Sequence, residues 1–191
     1  MAGMRRPAMK IWKLEFELDK YDNLKPEKEW SIEKIQSFDG RKQSVIWTPV
    51  KVVRLEPEKK LGLSDAPGFY SHIPVFSKKA KDILEDCIFD SVELLPMINE
   101  EKEYWAVNIT KILDCINYEK SIYKTFPDGK RILRFEKYFF NEKKLVNENI
   151  FKIKDKPLAA AFVSDEFKDI VEFNNLTGFK FNLVWDSETS T

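Results

Sequence analysis

The sequence predicts an α+β fold: a mostly antiparallel sheet with two principal capped helices in similar strand–helix–strand units. Three observations carry that reading. Apolar residues alternate with charged ones over several short runs, the period of a strand with one wet face. Two segments instead place apolar residues at i, i+3, i+4 and i+7 behind a serine, the pattern of an N-capped amphipathic helix. The strands outnumber the helices and do not alternate with them throughout, which separates the chain from a doubly wound fold.

Along the 191 residues, residues 1–9 read as a flexible N-terminus, 10–186 as one domain and 187–191 as a tail. Trp12, Leu14, Phe16 and Leu18 alternate with Lys13, Glu15 and Glu17, which predicts the first strand. Residues 19–43 are polar and interrupted by Pro26 and Gly40. Residues 44–55 are rich in Val, Ile and Trp on both faces and predict a better-buried strand, with Pro49 marking a bulge or an edge. Pro57, Gly62, Pro67 and Gly68 make 56–73 a long loop.

A strand–helix–strand unit follows. Pro74, Val75 and Phe76 form a short strand, Ser77 caps a helix, and Ala80, Ile83, Leu84 and Cys87 line one helical stripe. Residues 92–96 return as a strand, 97–103 form an acidic loop, and 104–109 are a further apolar run leading to Ile112, Leu113 and Ile116. Asp128 and Gly129 between two β-rich runs signal a hairpin, and residues 145–154 predict another strand. The chain then repeats itself: Ala161, Phe162 and Val163 lead into Ser164, and Phe167, Ile170, Val171 and Asn174 take the stripe positions. Beyond Gly178, residues 179–185 alternate cleanly. At an offset of 87, Ser77, Lys81, Asp82, Ile83 and Glu85 match Ser164, Lys168, Asp169, Ile170 and Glu172. Phe167, Ile170, Val171, Phe179, Phe181 and Trp185 are the expected core of this last unit.

Charge balances at 32 Lys+Arg against 32 Asp+Glu, with a pI near 6.6. General polyanion binding rests on surplus bases, so no nucleic-acid partner is expected. Cys87 and Cys115 are too few for a secreted disulfide scaffold and lie among apolar neighbours. Pro7 and alternating charges follow Arg5 and Arg6 where a signal peptide would be apolar, and no run is long enough to span a membrane. A cytoplasmic protein with no membrane contact is expected.

Catalytic signatures are sparse. His72 is the single histidine, so any Ser–His or Cys–His arrangement or zinc site would have to use it. The six glycines make no Gly-x-Gly pair and none precedes Lys-Ser or Lys-Thr, so phosphate cradles are absent. No cofactor or metal is expected. Pro127 and Asp128, with Glu142 and Lys144 downstream, mimic the acid-and-lysine set of metal-dependent nucleases. Asp128, however, belongs to a hairpin turn, and Glu142 to the end of the following strand.

Several segments in this order resemble the bacterial immunity protein eleven family. They are 74–77 with its helix, 92–96, 135–140, 150–153, 163–167, and 176–181 with Trp185. The resemblance covers about residues 70–186, and 10–69 match loosely. It implies a non-enzymatic protein that binds and neutralises a cognate bacterial toxin, and it transfers no catalytic residues. An uncharacterised enzyme such as a metal-dependent nuclease, or a regulatory binding domain without a toxin partner, are the other readings. Interfaces favour exposed aromatics ringed by charge. Two segments outside the expected core offer this: Asp65, Phe69, Tyr70 and His72 in the long loop, and Glu100, Glu101 and Glu103 in the acidic loop.

Overall fold

The computed structural model describes residues 8–189. The expected flexible N-terminus therefore lies, for residues 1–7, outside the described residues. The chain runs β1 (Lys10–Phe16), β2 (Leu24–Pro26), α1 (Ile32–Gln36), β3 (Val50–Arg54), β4 (Val75–Ser77) and α2 (Lys78–Ile88). It continues through β5 (Val92–Ile98), β6 (Tyr104–Ile109), β7 (Ile112–Leu113), β8 (Ile122–Thr125) and β9 (Ile132–Lys137). The last elements are β10 (Ile150–Ile153), β11 (Phe162–Ser164), α3 (Asp165–Phe173) and β12 (Phe179–Asp186).

Mixed α and β structure dominated by strands agrees with the sequence, but not as one sheet. Two five-stranded sheets form, ordered β12-β1-β11-β10-β7 and β2-β3-β5-β6-β4, with β8 and β9 as a separate hairpin. Each large sheet is mixed: β10 pairs parallel with β7, and β3 parallel with β5, while the other pairs are antiparallel. Both parallel pairs join strands distant in sequence, which local alternation does not report.

The two helices start where their serines place them. Ser77 Oγ accepts from the Ala80 amide at 3.2 Å, and Ser164 Oγ accepts from Phe167 at the same distance. Their buried stripes, Ala80, Leu84 and Ile88 on α2 and Phe167 and Val171 on α3, meet Phe76 and Val107 from one sheet and Leu14, Val163 and Phe179 from the other. This first core is therefore a helix pair held between two sheets. Of the residues expected there, Phe167, Val171 and Phe179 are buried, whereas Ile170 and Phe181 are half-buried. Trp185 is buried in a different core, on the far side of its sheet, with Ile11, Phe140, Phe151 and Phe162. Strand β1 thus presents Leu14 to one core and Ile11 to another, so its second face is dry at one end. Leu18 falls beyond the strand and is exposed.

The third core covers the outer face of the β2-β3-β5-β6-β4 sheet. Trp30, Phe38, Trp47, Phe69 and Tyr70 pack over Val52, Leu95 and Tyr104. Trp30 is the hub, 5.3 Å from Phe69, 5.7 Å from Tyr70 and 5.9 Å from Phe38 between ring centroids. This lid corrects the expectation for 44–55, because β3 begins only at Val50 and residues 44–46 are an exposed turn. It also adds α1, in a polar stretch whose composition predicts no helix.

Candidate partner-binding surface

The long loop expected to display Asp65, Phe69, Tyr70 and His72 is largely buried from Ser64 onward. Asp65 is only 4% exposed and His72 8%, which corrects their placement outside the core. The reason is a polar network under the loop. Asp65 Oδ1 accepts from Ser77 Oγ at 2.7 Å and Lys102 Nζ at 3.2 Å, and Oδ2 accepts from the Thr177 amide and hydroxyl at 3.1 Å. Burial alone would raise the Asp65 pKa, but those donors and the Lys102 charge together hold it below the ordinary value.

His72 lies under the aromatic lid. Its Nε2 stands 2.9 Å from the Ile35 carbonyl, which requires the tautomer with Nε2 protonated. Burial lowers its pKa, and the charge of Lys152 adds to the effect. Lys152, fully buried on β10, donates to the carbonyls of Phe38 at 3.0 Å and His72 at 2.9 Å. One ammonium thereby ties the lid to a strand of the other sheet, and burial brings its pKa down to about 8.

That position gives a pH signature. An unfolded lysine keeps its proton to about 10.4, so between pH 8 and that value the unfolded chain binds more protons at this site. Stability attributable to Lys152 therefore rises with pH across this window. The advantage of the wild type over Lys152→Met in unfolding free energy should grow by about 2 kcal/mol between pH 7 and pH 9.5. Thiols and tyrosines titrate in both proteins and cancel in the difference. Urea melts at the two pH values measure it, and a constant difference would refute the lowered pKa of a buried Lys152.

Phe69 and Tyr70 are half-buried and edge an open groove of about 630 Å³. Its opposite wall is Leu14, Phe16 and Leu18, and Gly68 and Ala160 also line it. The rim is charged but self-paired: Lys13 with Glu15 at 3.1 Å and Lys20 with Glu17 at 3.4 Å. Asn182 also donates to Glu15.

The acidic loop stands on the neighbouring sheet. Arg54 on β3 grips Glu101 through Nε and Nη2, both at 2.7 Å, and holds its carboxyl below the usual range. Glu100 pairs with Lys51 at 3.0 Å. Glu103 is exposed, and its carbonyl accepts from the Lys78 amide at 3.1 Å. Lys102, between these acids, reaches back to Asp65, so the two expected segments adjoin through a buried carboxylate rather than through exposed side chains.

The nuclease-like set does not converge on one point. Asp128 accepts from the Lys130 and Arg131 amides and from Arg131 Nε at the tip of the β8–β9 hairpin. Glu142 lies in a short 3-10 turn beyond β9, and that six-residue strand separates the two by about 20 Å of chain. Among the described residues, no group of three or more His, Cys, Asp or Glu is placed to hold a metal ion. No helix of the described residues is long and apolar enough to cross a membrane.

Comparison with family models matches residues 40–186 to the Immunity protein family (Imm11). A search of curated proteins returned no match.

Proposed function

Because the chain belongs to the Imm11 immunity protein family, we propose that it binds and neutralises a cognate protein toxin in the cytoplasm, without catalysis, cofactor or nucleic-acid partner. The observation that carries this is the family match over residues 40–186. Residues 10–186 act as one unit, since the first core draws side chains from both sheets and both helices. Three dry cores and surface charges locked in pairs favour a preformed binding face, whose affinity is not spent on ordering side chains.

In this reading the toxin contacts Phe69 and Tyr70 at the groove and Glu100, Glu101 and Glu103 at the acidic loop, while Asp65 joins the two segments through Lys102 and His72 lies beneath Tyr70. Coexpression with the toxin encoded beside the gene tests the function. Protected growth and a complex that survives purification are expected; unprotected growth with no complex would reject it. Reversing Glu100, Glu101 and Glu103 to lysine should slow association about tenfold at low salt and much less at high salt, because rim charges steer encounter. Folding should survive at a cost of about 2 kcal/mol or less, since Glu100–Lys51 is an exposed pair and Glu101, though held twice by the half-buried Arg54, is itself in solvent. Stopped-flow association at two ionic strengths is the measurement, and an unchanged rate at low salt would remove the acidic loop from the interface.

A further inference from the structure

The turn at residues 44–46 is built with unusual rigidity to display two apolar side chains. Val45 is 92% and Ile46 78% exposed. Beneath them, Glu93 on β5 accepts from the Gln43 amide at 2.6 Å, from the Ser44 hydroxyl at 2.6 Å and from the Ser44 amide at 3.3 Å. Asn108 on β6 donates 2.8 Å bonds both to Glu93 and to the Arg41 carbonyl. Gln43 Nε2 donates to the Ser37 carbonyl at 2.8 Å, and Trp47 Nε1 to the Pro96 carbonyl at 2.9 Å. Burial alone would raise the Glu93 pKa, yet these donors hold it down, so the carboxylate keeps its charge.

Single exposed aliphatics are ordinary. Two adjacent β-branched residues on a turn clamped at both ends are different, because the fold forgoes the gain from burying them and uses a half-buried carboxylate and a buried asparagine to hold them out. The surroundings fit an interface centre. Trp47 lies half-buried behind the turn, and Lys34 sits over both Trp30 and Trp47, 4.6 and 5.1 Å from their ring centroids, rather than over a carboxylate. Arg41 and Lys42 precede the turn; Arg41 Nε is taken by Asp39 at 2.9 Å, which leaves Lys34 and Lys42 against Glu33 on the concave surface beside Ile46.

We propose that Val45 and Ile46 form a preformed apolar knob that enters an apolar cleft of the toxin, and that carboxylates edge that cleft opposite Lys34 and Lys42. This rests on the immunity reading above and adds a contact site that it does not contain. It is distinct from the acidic loop, whose partner chemistry is the opposite.

The test uses the full-length protein and the toxin encoded beside it. Val45→Ser with Ile46→Ser should leave thermal unfolding within about 2 °C of the wild type, because exposed side chains contribute little to folding. It should weaken toxin binding by about 10- to 100-fold, mostly through faster dissociation. The milder pair Val45→Thr, which is isosteric, and Ile46→Val, which removes one methylene, should weaken it less, in the same direction. Lys42→Glu should slow association in a salt-dependent manner. A wild type that binds no toxin overturns the immunity reading itself. A wild type that binds, beside a folded serine variant that binds equally tightly, overturns the knob alone.

Discussion

Replacing Phe167 with alanine should lower the unfolding free energy by about 3–5 kcal/mol, lost transfer energy plus the cavity left behind. The ring is completely buried, on the first turn of α3 where the Ser164 cap sets its position. It touches aromatic partners on both sheets: Phe76 at 6.5 Å, Phe179 at 6.2 Å and Phe181 at 6.3 Å between centroids. Because the helix pair sits between two sheets, neither wall can collapse into the void without moving a ladder. Phe181→Ala is the comparison. Its ring is half-buried near the sheet margin, so it should cost less than half as much. Equilibrium urea unfolding of both variants decides; a Phe167 loss under 1 kcal/mol would mean that the first core repacks freely.

Asp65→Ala should cost about as much, roughly 3–5 kcal/mol, the range for removing one partner from a buried charged network. The carboxylate joins the two similar units. Through Oδ1 it orients the Ser77 hydroxyl, which caps α2, and through Oδ2 it takes both donors of Thr177 in the turn before β12. Its backbone adds to the link, donating to the Thr177 carbonyl at 3.1 Å and accepting from the Ser77 amide at 2.8 Å. Alanine would leave the Ser77 hydroxyl, the Thr177 groups and Lys102 without their shared acceptor. Asp65→Asn, which keeps the shape but brings a donor among donors, should fall between the wild type and alanine.

The pH dependence has a definite sign. The folded pKa of Asp65 lies below the unfolded value near 3.9. Its contribution is therefore complete above about pH 4 and is lost as pH falls through the lower folded value. The gap between wild type and Asp65→Ala should be constant from pH 5 to pH 7 and close below pH 3.5. Thermal melts across that range measure it, and a gap that widens on acidification would contradict the ionised, multiply bonded carboxylate.

How far the sequence reaches differs between elements. Both principal helices were legible because their signals are local: a serine whose side chain caps its own helix, then an apolar stripe within eleven residues. The Asp128-Gly129 hairpin was legible for the same reason, with Gly129 in the left-handed region at φ +67°. Gly178 adopts φ +90°, and a Cβ there would lie 2.5 Å from the Ala66 carbonyl oxygen. The first fact belongs to a turn that the sequence marked; the second belongs to a loop 112 residues away from Thr177 in the case of Asp65, which no local pattern announces.

The site was less legible than the fold. Phe69, Tyr70 and the three glutamates do reach the surface, in whole or in part. Asp65 and His72 do not: a Pro- and Gly-rich loop reads as exposed, and burial is made favourable by the Ser77, Thr177 and Lys102 donors at Asp65 and by the Ile35 carbonyl at His72. The opposite error fell on residues 44–46. Val45, Ile46 and Trp47 read as a buried strand, since hydrophobicity is the sole local signal there. The clamp that turns Val45 and Ile46 outward comes from Glu93 and Asn108, on strands β5 and β6.

By itself, then, the sequence determined the strand-rich α+β class, the starts of both principal helices, the hairpin and the family. Each follows from short-range patterns or from their order along the chain. The tertiary structure alone decided that the strands divide into two mixed sheets around a shared helix pair, that Lys152 and Asp65 are buried, and which apolar residues face water. Those outcomes depend on which distant carbonyls, carboxylates and amides arrive to satisfy a buried polar group, and that is a property of the assembled fold.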